Sequence, residues 1–269
     1  RITPMGFSCI CGHFSVSVCI SLPPEFEELS LFSLPRIKAM AHGDLREHLC
    51  QPGSQRENRT NVQFKDLPDH LINALLAAED VRFYEHRGID TRSLIRVLVK
   101  SIILQQEESG GGSTITQQLA KNMYGRSDHG FLSTPVNKFK EIILANRLEH
   151  IYSKEDILQL YLNTVPFGED VFGIESAAQR YFNKGAANLG VEEGAVLIGM
   201  LKANTYYNPR LNPGNAVNRR NVVLEQMVRY GFLEESLKDS LKQIPLGLDY
   251  ANLSTQGTAN YFLEMIRKD

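Results

Sequence analysis

No cysteine follows Cys50. The four present, Cys9, Cys11, Cys19 and Cys50, crowd into the first fifty positions of a 269-residue chain, which excludes a disulfide framework or a thiolate metal site from its body. Nor do Cys9, Cys11, His13 and Cys19 match a C-x2–4-C…H-x3–5-H spacing, so a small zinc module at the N-terminus is set aside. Charge of one sign is lacking too: 29 Lys plus Arg stand against 31 Asp plus Glu, a net charge of −2. Nothing here is built to neutralise nucleic-acid phosphates, and no nucleic acid is expected as a partner. Strand-like alternation is nearly absent, and 42% apolar residues are normal for a globular core and not for a disordered chain. The expected fold class is mainly α.

A clean membrane span is also missing. Met5 to Leu22 has about the right length, but Gly12-His13 and four serines interrupt it, and Arg1 is its sole upstream charge. From Ser30 to Glu57 the chain runs through Arg36, Lys38, His42, Arg46, His48, Gln51 and Gln55 with no helical or strand period, which reads as linker.

After Asn61 the pattern becomes a series of amphipathic helices. Pro68 suits the first turn of a helix carrying Leu71, Ile72, Leu75 and Leu76 and ending at Glu79-Asp80. Leu94, Ile95, Leu98, Val99, Ile102 and Ile103 mark another, with Asp90 or Thr91 as its cap. Gly110-Gly111-Gly112 breaks the chain, and Thr114 with Gln117 three residues on makes a capping-box pattern that restarts it. Thr134-Pro135 opens a helix through Phe139, Ile142, Ile143 and Leu148, and Ser153 opens one through Ile157, Leu158 and Tyr161. Residues 174–182, 191–201 and 215–230 continue the series, the last closed by Gly231.

Three places could hold chemistry. Glu79-Asp80, followed by Phe83, His86 and Gly88, puts carboxylates at the mouth of a turn, where one could serve as a general base; acids near turns are otherwise simply solvated. The glycine run leads into Ser113, Thr114, Thr116, Gln117 and Gln118, then Lys121-Asn122. Backbone N–H groups, hydroxyls and amides at a helix N-terminus favour an anion or a sugar, and a flexible linker before a capped helix is the plainer alternative. No Gly-Lys-Ser/Thr follows the glycines, so this is not a P-loop. Glu141 follows Lys138 by three residues amid Phe139, Ile142 and Ile143, either as a shielded pair or as an ordinary surface pair.

Taken in order, Glu79-Asp80-x-x-Phe83-x-x-His86-x-Gly88-x-Asp90 and Gly111-Gly112-Ser113-Thr114-Ile115-Thr116-Gln117-Gln118-Leu119-x-Lys121-Asn122 resemble the first two signature motifs of the peptidoglycan glycosyltransferases. These are the family 51 domains of bifunctional penicillin-binding proteins and their monofunctional relatives. Lys138-x-x-Glu141 resembles the third motif, with Asn137 where an arginine is frequent. Lys154-x-x-Ile157-Leu158-x-x-Tyr161-Leu162-Asn163 resembles the fourth, with Gln159 in place of Glu, and Ala177-Ala178-x-x-Tyr181-Phe182 the fifth. Tyr207-Asn208-Pro209 and Arg219-Arg220-Asn221 also fit the pattern.

The resemblance implies a lysozyme-like helical domain over 58–235 that polymerises lipid II into glycan strands with release of undecaprenyl diphosphate. It leaves 1–57 unassigned, with a degraded membrane anchor and linker as the open reading, and 236–269 as a connector toward a transpeptidase domain. No Ser-x-x-Lys acylation motif occurs in the chain. Glu79 is implied as the base that deprotonates the acceptor sugar's 4-hydroxyl in a single inverting displacement. Lys121 and Lys138 are implied to balance the leaving diphosphate, with Arg126 or the lysines standing in for the arginine absent at Asn137. Asp80, Ser113, Thr114, Gln117, Gln118 and Asn122 complete the implied substrate-binding set. Glu141 is implied as a second catalytic carboxylate that positions a sugar or helps hold a divalent cation such as Mg²⁺, with no cofactor required. The implied setting is the outer or periplasmic face of the bacterial cytoplasmic membrane, with lipid II, the growing glycan, the membrane surface and cell-wall synthesis proteins as partners. Gly130-Phe131-Leu132 is the expected apolar lip. A lysozyme-like hydrolase or lytic transglycosylase is the alternative, and it would need a proton donor of raised pKa more than a cationic anion site.

Overall fold

The computed structural model describes residues 60–95, 112–125 and 133–251, all within one compact unit of the chain. The expectations placed on 1–57, on most of the helix through Ile103, on Gly110-Gly111, on Arg126 and on Phe131-Leu132 lie outside these residues. Among the described residues the fold is helical, with no strand and one isolated bridge between Pro166 and Phe172. None of their helices is long and apolar enough to cross a membrane.

After a 3-10 turn at Phe64–Asp66, helix α1 (Asp69–Glu79) begins at Pro68, which takes the cap position just outside the helix, where its missing N–H costs nothing. Leu71, Ile72, Leu75 and Leu76 are buried as their spacing predicts. Helix α2 (Ile115–Tyr124) is capped by Thr114, whose side chain accepts from Gln117 N–H at 3.2 Å. Helix α3 (Ser133–Ile151) holds Pro135 in its first turn. Helix α4 (Lys154–Thr164) carries a complete capping box between Ser153 and Asp156. Helices α5 (Ile174–Phe182), α6 (Val191–Met200), α7 (Pro213–Arg229) and α8 (Glu235–Gln243) follow.

Two groups of helices position the site. Helix α6, buried along nearly its whole length, packs between α1 and α7, while α2 packs on α3 and α4. The turn between α1 and the helix that starts at 91 joins them. Its Gly88 has φ +82°, and a Cβ there would meet the Ala145 backbone at 2.9 Å, so this position needs glycine both for conformation and for the close approach to α3.

One expectation is corrected. On α3 the side facing α2 is not the apolar run Phe139, Ile142 and Ile143. Asn137, Glu141, Leu144, Ala145 and Leu148 are buried, and Phe139 is 51% exposed. Residues 236–243 of the segment expected as a connector lie in helix α8, which packs against α7.

Candidate active site

Glu79 ends α1, half-buried, where the helix meets α2. Gln118 on α2 donates through Nε2 to Glu79 Oε2 at 3.1 Å, and Gln118 Oε1 accepts from the Tyr161 hydroxyl at 2.9 Å. Tyr161 therefore fixes which way the amide faces, and the amide holds one oxygen of the carboxylate. Burial pushes the Glu79 carboxyl above the ordinary Glu value, while the Gln118 hydrogen bond and the charges of Arg219 and Lys202 pull the other way. Burial raises the Tyr161 phenol well above its usual range, so it remains a donor at neutral pH.

Asp80 has a different task although it is adjacent. It is buried, its oxygens lie 2.9 and 3.1 Å from His86 Nε2, and Oδ2 accepts the Ile115 N–H at 3.2 Å. That N–H belongs to the first turn of α2, where helices leave donors unpaired. Asp80 thus ties the end of α1 to the start of α2. Phe83 is fully buried and meets His86 edge-on at 6.0 Å.

The start of α2 carries the second cluster. The Lys138 ammonium donates to Ser113 Oγ at 2.7 Å, Gln117 Oε1 at 2.9 Å and Glu141 Oε2 at 3.3 Å. Its side chain stays about one-third exposed (33%) whereas that of Glu141 is 7% exposed, so this is the shielded pair. Gln117 does not complete the capping box with its side chain. Its Nε2 donates instead to Gly88 O at 3.3 Å, beside the Thr114 hydroxyl at 2.8 Å. Lys121 and Asn122 lie exposed in the second half of α2.

The structure brings Glu79, Asp80, Ser113, Thr114, Gln117, Gln118, Lys138 and Glu141 into one region where α1, α2 and α3 meet, with Lys121 and Asn122 farther along α2. Tyr161, Lys202 and Arg219 also bear on Glu79; Tyr161 and Arg219 lie within the later motifs, which is the signal the sequence offers for them, whereas Lys202 lies in none. Beside Glu141 the donor set is one carboxylate against an ammonium, with hydroxyl and amide oxygens. That arrangement suits an anion better than a divalent cation, and among the described residues no group of three or more His, Cys, Asp or Glu could hold a metal ion.

A family model described as Transglycosylase matches residues 46–228. Penicillin-binding protein 1A of Pseudomonas aeruginosa is 38% identical over 273 residues, covering 97% of this chain and 31% of that protein. Penicillin-binding protein 1F of Bacillus subtilis is 38% identical over 213 residues, covering 79% of this chain and 29% of its own length. The crystal structure of penicillin-binding protein 1A from Haemophilus influenzae aligns over 78% of this chain and 21% of that one, at 24% identity and a TM-score of 0.44. The chain spans roughly a third of the length of the curated relatives it matches.

Proposed function

The chain belongs to the transglycosylase family, and from that premise we propose that it is a peptidoglycan glycosyltransferase that polymerises lipid II, with Glu79 as the general base. The observation that carries the reading is the chain of contacts Tyr161–Gln118–Glu79 at the mouth of α2, a few residues from the Lys138 cluster. A base must be ionised before reaction and must hold a proton after it, and burial moves Glu79 toward that balance. The acceptor's 4-hydroxyl gives its proton to Glu79 as its oxygen attacks the donor's anomeric carbon. The bond from that carbon to the lipid diphosphate breaks, with inversion. The leaving diphosphate needs cations and no proton donor, and Lys138, with Ser113 and Gln117 around it, supplies the charge; Lys121 lies one turn beyond Gln117 for the same anion.

Asp80 and Thr114 serve by holding the frame. Gln118 orients the base, and Glu141 keeps Lys138 in place while presenting an oxygen for a sugar hydroxyl. No step requires a metal ion at this donor set. Asn122 is assigned to the substrate by its motif position, Arg126 or the lysines to the diphosphate in place of the arginine absent at Asn137, and Phe131-Leu132 to the bilayer. A polyprenyl-linked substrate places the work at a membrane surface, on the outer or periplasmic face of the cytoplasmic membrane, beside other wall-building proteins.

The test is polymerisation of labelled lipid II in detergent by the native chain and by Glu79→Gln. The native chain makes long glycan, and the variant loses activity by about a thousandfold, within the range general-base removal produces. Release of soluble muropeptides from purified sacculi by the native chain, with no glycan made from lipid II, overturns the reading in favour of a lytic enzyme.

A further inference from the structure

Behind the site lies an ion pair that the mechanism above does not use. Glu149, near the end of α3, and Lys154, the first residue of α4, meet at 2.7 Å, with side-chain exposures of 4% and 19%. Glu149 also accepts the Thr116 hydroxyl of α2 at 2.6 Å. Lys154 donates to the His86 carbonyl at 2.8 Å and lies 4.2 Å from the centre of the Phe83 ring. One pair therefore touches the turn after α1 and helices α2, α3 and α4.

Two facts argue against a role in holding α4 together. Its N-terminus is already closed by the Ser153–Asp156 capping box, and a lysine in the first turn faces the unfavourable end of the helix dipole. Burial of an ion pair is also a weak source of stability, since packed apolar side chains of similar volume do as well or better. What the pair offers is fixed geometry. From Lys154 the contacts run through the His86 carbonyl, and His86 in turn holds Asp80, the neighbour of Glu79. From Glu149 they run to Thr116, the neighbour of Gln117, which binds Lys138.

We propose that the Glu149–Lys154 pair is a positioning device that sets the distance and angle between the base Glu79 and the cationic cluster at the start of α2. The proposal rests on the reading of Glu79 as the base. It requires that loosening the pair harm turnover more than substrate binding, because both halves of the site persist while their mutual placement is lost.

The experiment compares the native chain with Lys154→Met, Lys154→Arg and Glu149→Gln, each checked for helical content and thermal unfolding. The readouts are kcat and KM for lipid II and hydrogen exchange at the Ile115 amide, which Asp80 accepts. Lys154→Met lowers kcat about tenfold to a hundredfold with KM within about twofold, and Lys154→Arg recovers most of the loss. Exchange at Ile115 quickens in the Met variant while α8 exchanges as in the native chain. Native kcat in Lys154→Met, or a loss that merely tracks the unfolded fraction, overturns the proposal. Should Lys154→Met fail to fold, Glu149→Gln, which keeps an acceptor for Thr116, is judged by the same outcomes. If the native chain makes no glycan, the functional reading fails on its own; unchanged Ile115 exchange in Lys154→Met would then overturn the positioning role, and local quickening would sustain it.

Discussion

Glu79 carries a cost that its neighbours do not remove. Burial raises its carboxyl although Gln118, Arg219 and Lys202 oppose the shift, so the folded chain binds this proton more tightly than the unfolded chain does. Between the unfolded Glu value of about 4.3 and the higher folded value, the native state holds more protons, and stability falls as pH rises. Glu79→Gln removes the charge while its amide oxygen still accepts from Gln118. The variant should be inactive yet more stable than the native chain at pH 7, by about 1 kcal/mol, and the difference should shrink as the buffer is taken below pH 4. Thermal unfolding of the two proteins across that range checks it; a less stable variant at pH 7 would contradict the assignment of strain to the carboxylate. The sequence marked Glu79 and Asp80 together because both are acids at a turn. Their position at the turn alone does not separate them, since which of two adjacent side chains meets the Ile115 N–H depends on the approach of α2, a contact made across 35 positions.

Among the elements, starts were easier to read than faces. Thr114 and Ser153 announce α2 and α4 because capping is settled within four residues. The face of α3 is not legible from its apolar spacing, because the polar Asn137 and Glu141 occupy the buried side, where Glu141 pairs with Lys138. Helix α8 went unread because it is polar nearly throughout, with Leu241 its one buried residue. The helix that starts at 91 offers a test of local capping. Asp90 accepts Ser93 N–H at 3.1 Å and pairs with Arg82 at 2.7 Å. Burial would raise its carboxyl, but the hydrogen bonds from Ser93 and Arg82 and the Arg82 charge win and bring it to about 2. A lowered carboxyl contributes stability above its unfolded value of about 3.9, and that stability is lost as pH falls toward 2. Asp90→Ala should cost about 1 kcal/mol at pH 7 and much less at pH 2, as read by denaturant unfolding at each pH. An equal cost at both would show that the ionised cap is not what matters.

Across the whole molecule, the chain after α8 is drawn back onto the helical body at two points. Buried Arg220 of α7 donates to the carbonyls of Lys242 and Ile244 at 2.9 and 2.6 Å, satisfying the end of α8. Farther on, Asp249 N–H and Ala251 N–H bond to the Tyr181 and Arg180 carbonyls at the end of α5. Tyr250 gives its hydroxyl to Glu169, which also accepts from Arg180, Arg210 and Asn208. Burial alone would lift the Glu169 carboxyl, yet the hydrogen bonds from Tyr250, Arg210 and Asn208 and the Arg210 charge hold it below the ordinary Glu value. The Arg180 guanidinium lies 4.2 Å from the Tyr250 ring centre, so the ring is held as well as the hydroxyl. This fastening gathers the turn after α4, helix α5, the loop before α7 and the returning chain, residues drawn from four stretches that no local pattern could have joined. Tyr250→Phe keeps the ring and removes the donor. It should lower stability by about 1 kcal/mol and speed exchange of the Asp249 and Ala251 amides, with lipid II polymerisation unchanged because none of these groups reaches Glu79. In the native chain the same two amides should become less protected as pH falls through the Glu169 value, after correction for intrinsic exchange, because protonation weakens every bond the carboxylate accepts. Protection that is indifferent to both the substitution and the acid would mean that the backbone bonds to α5 hold the segment without Glu169.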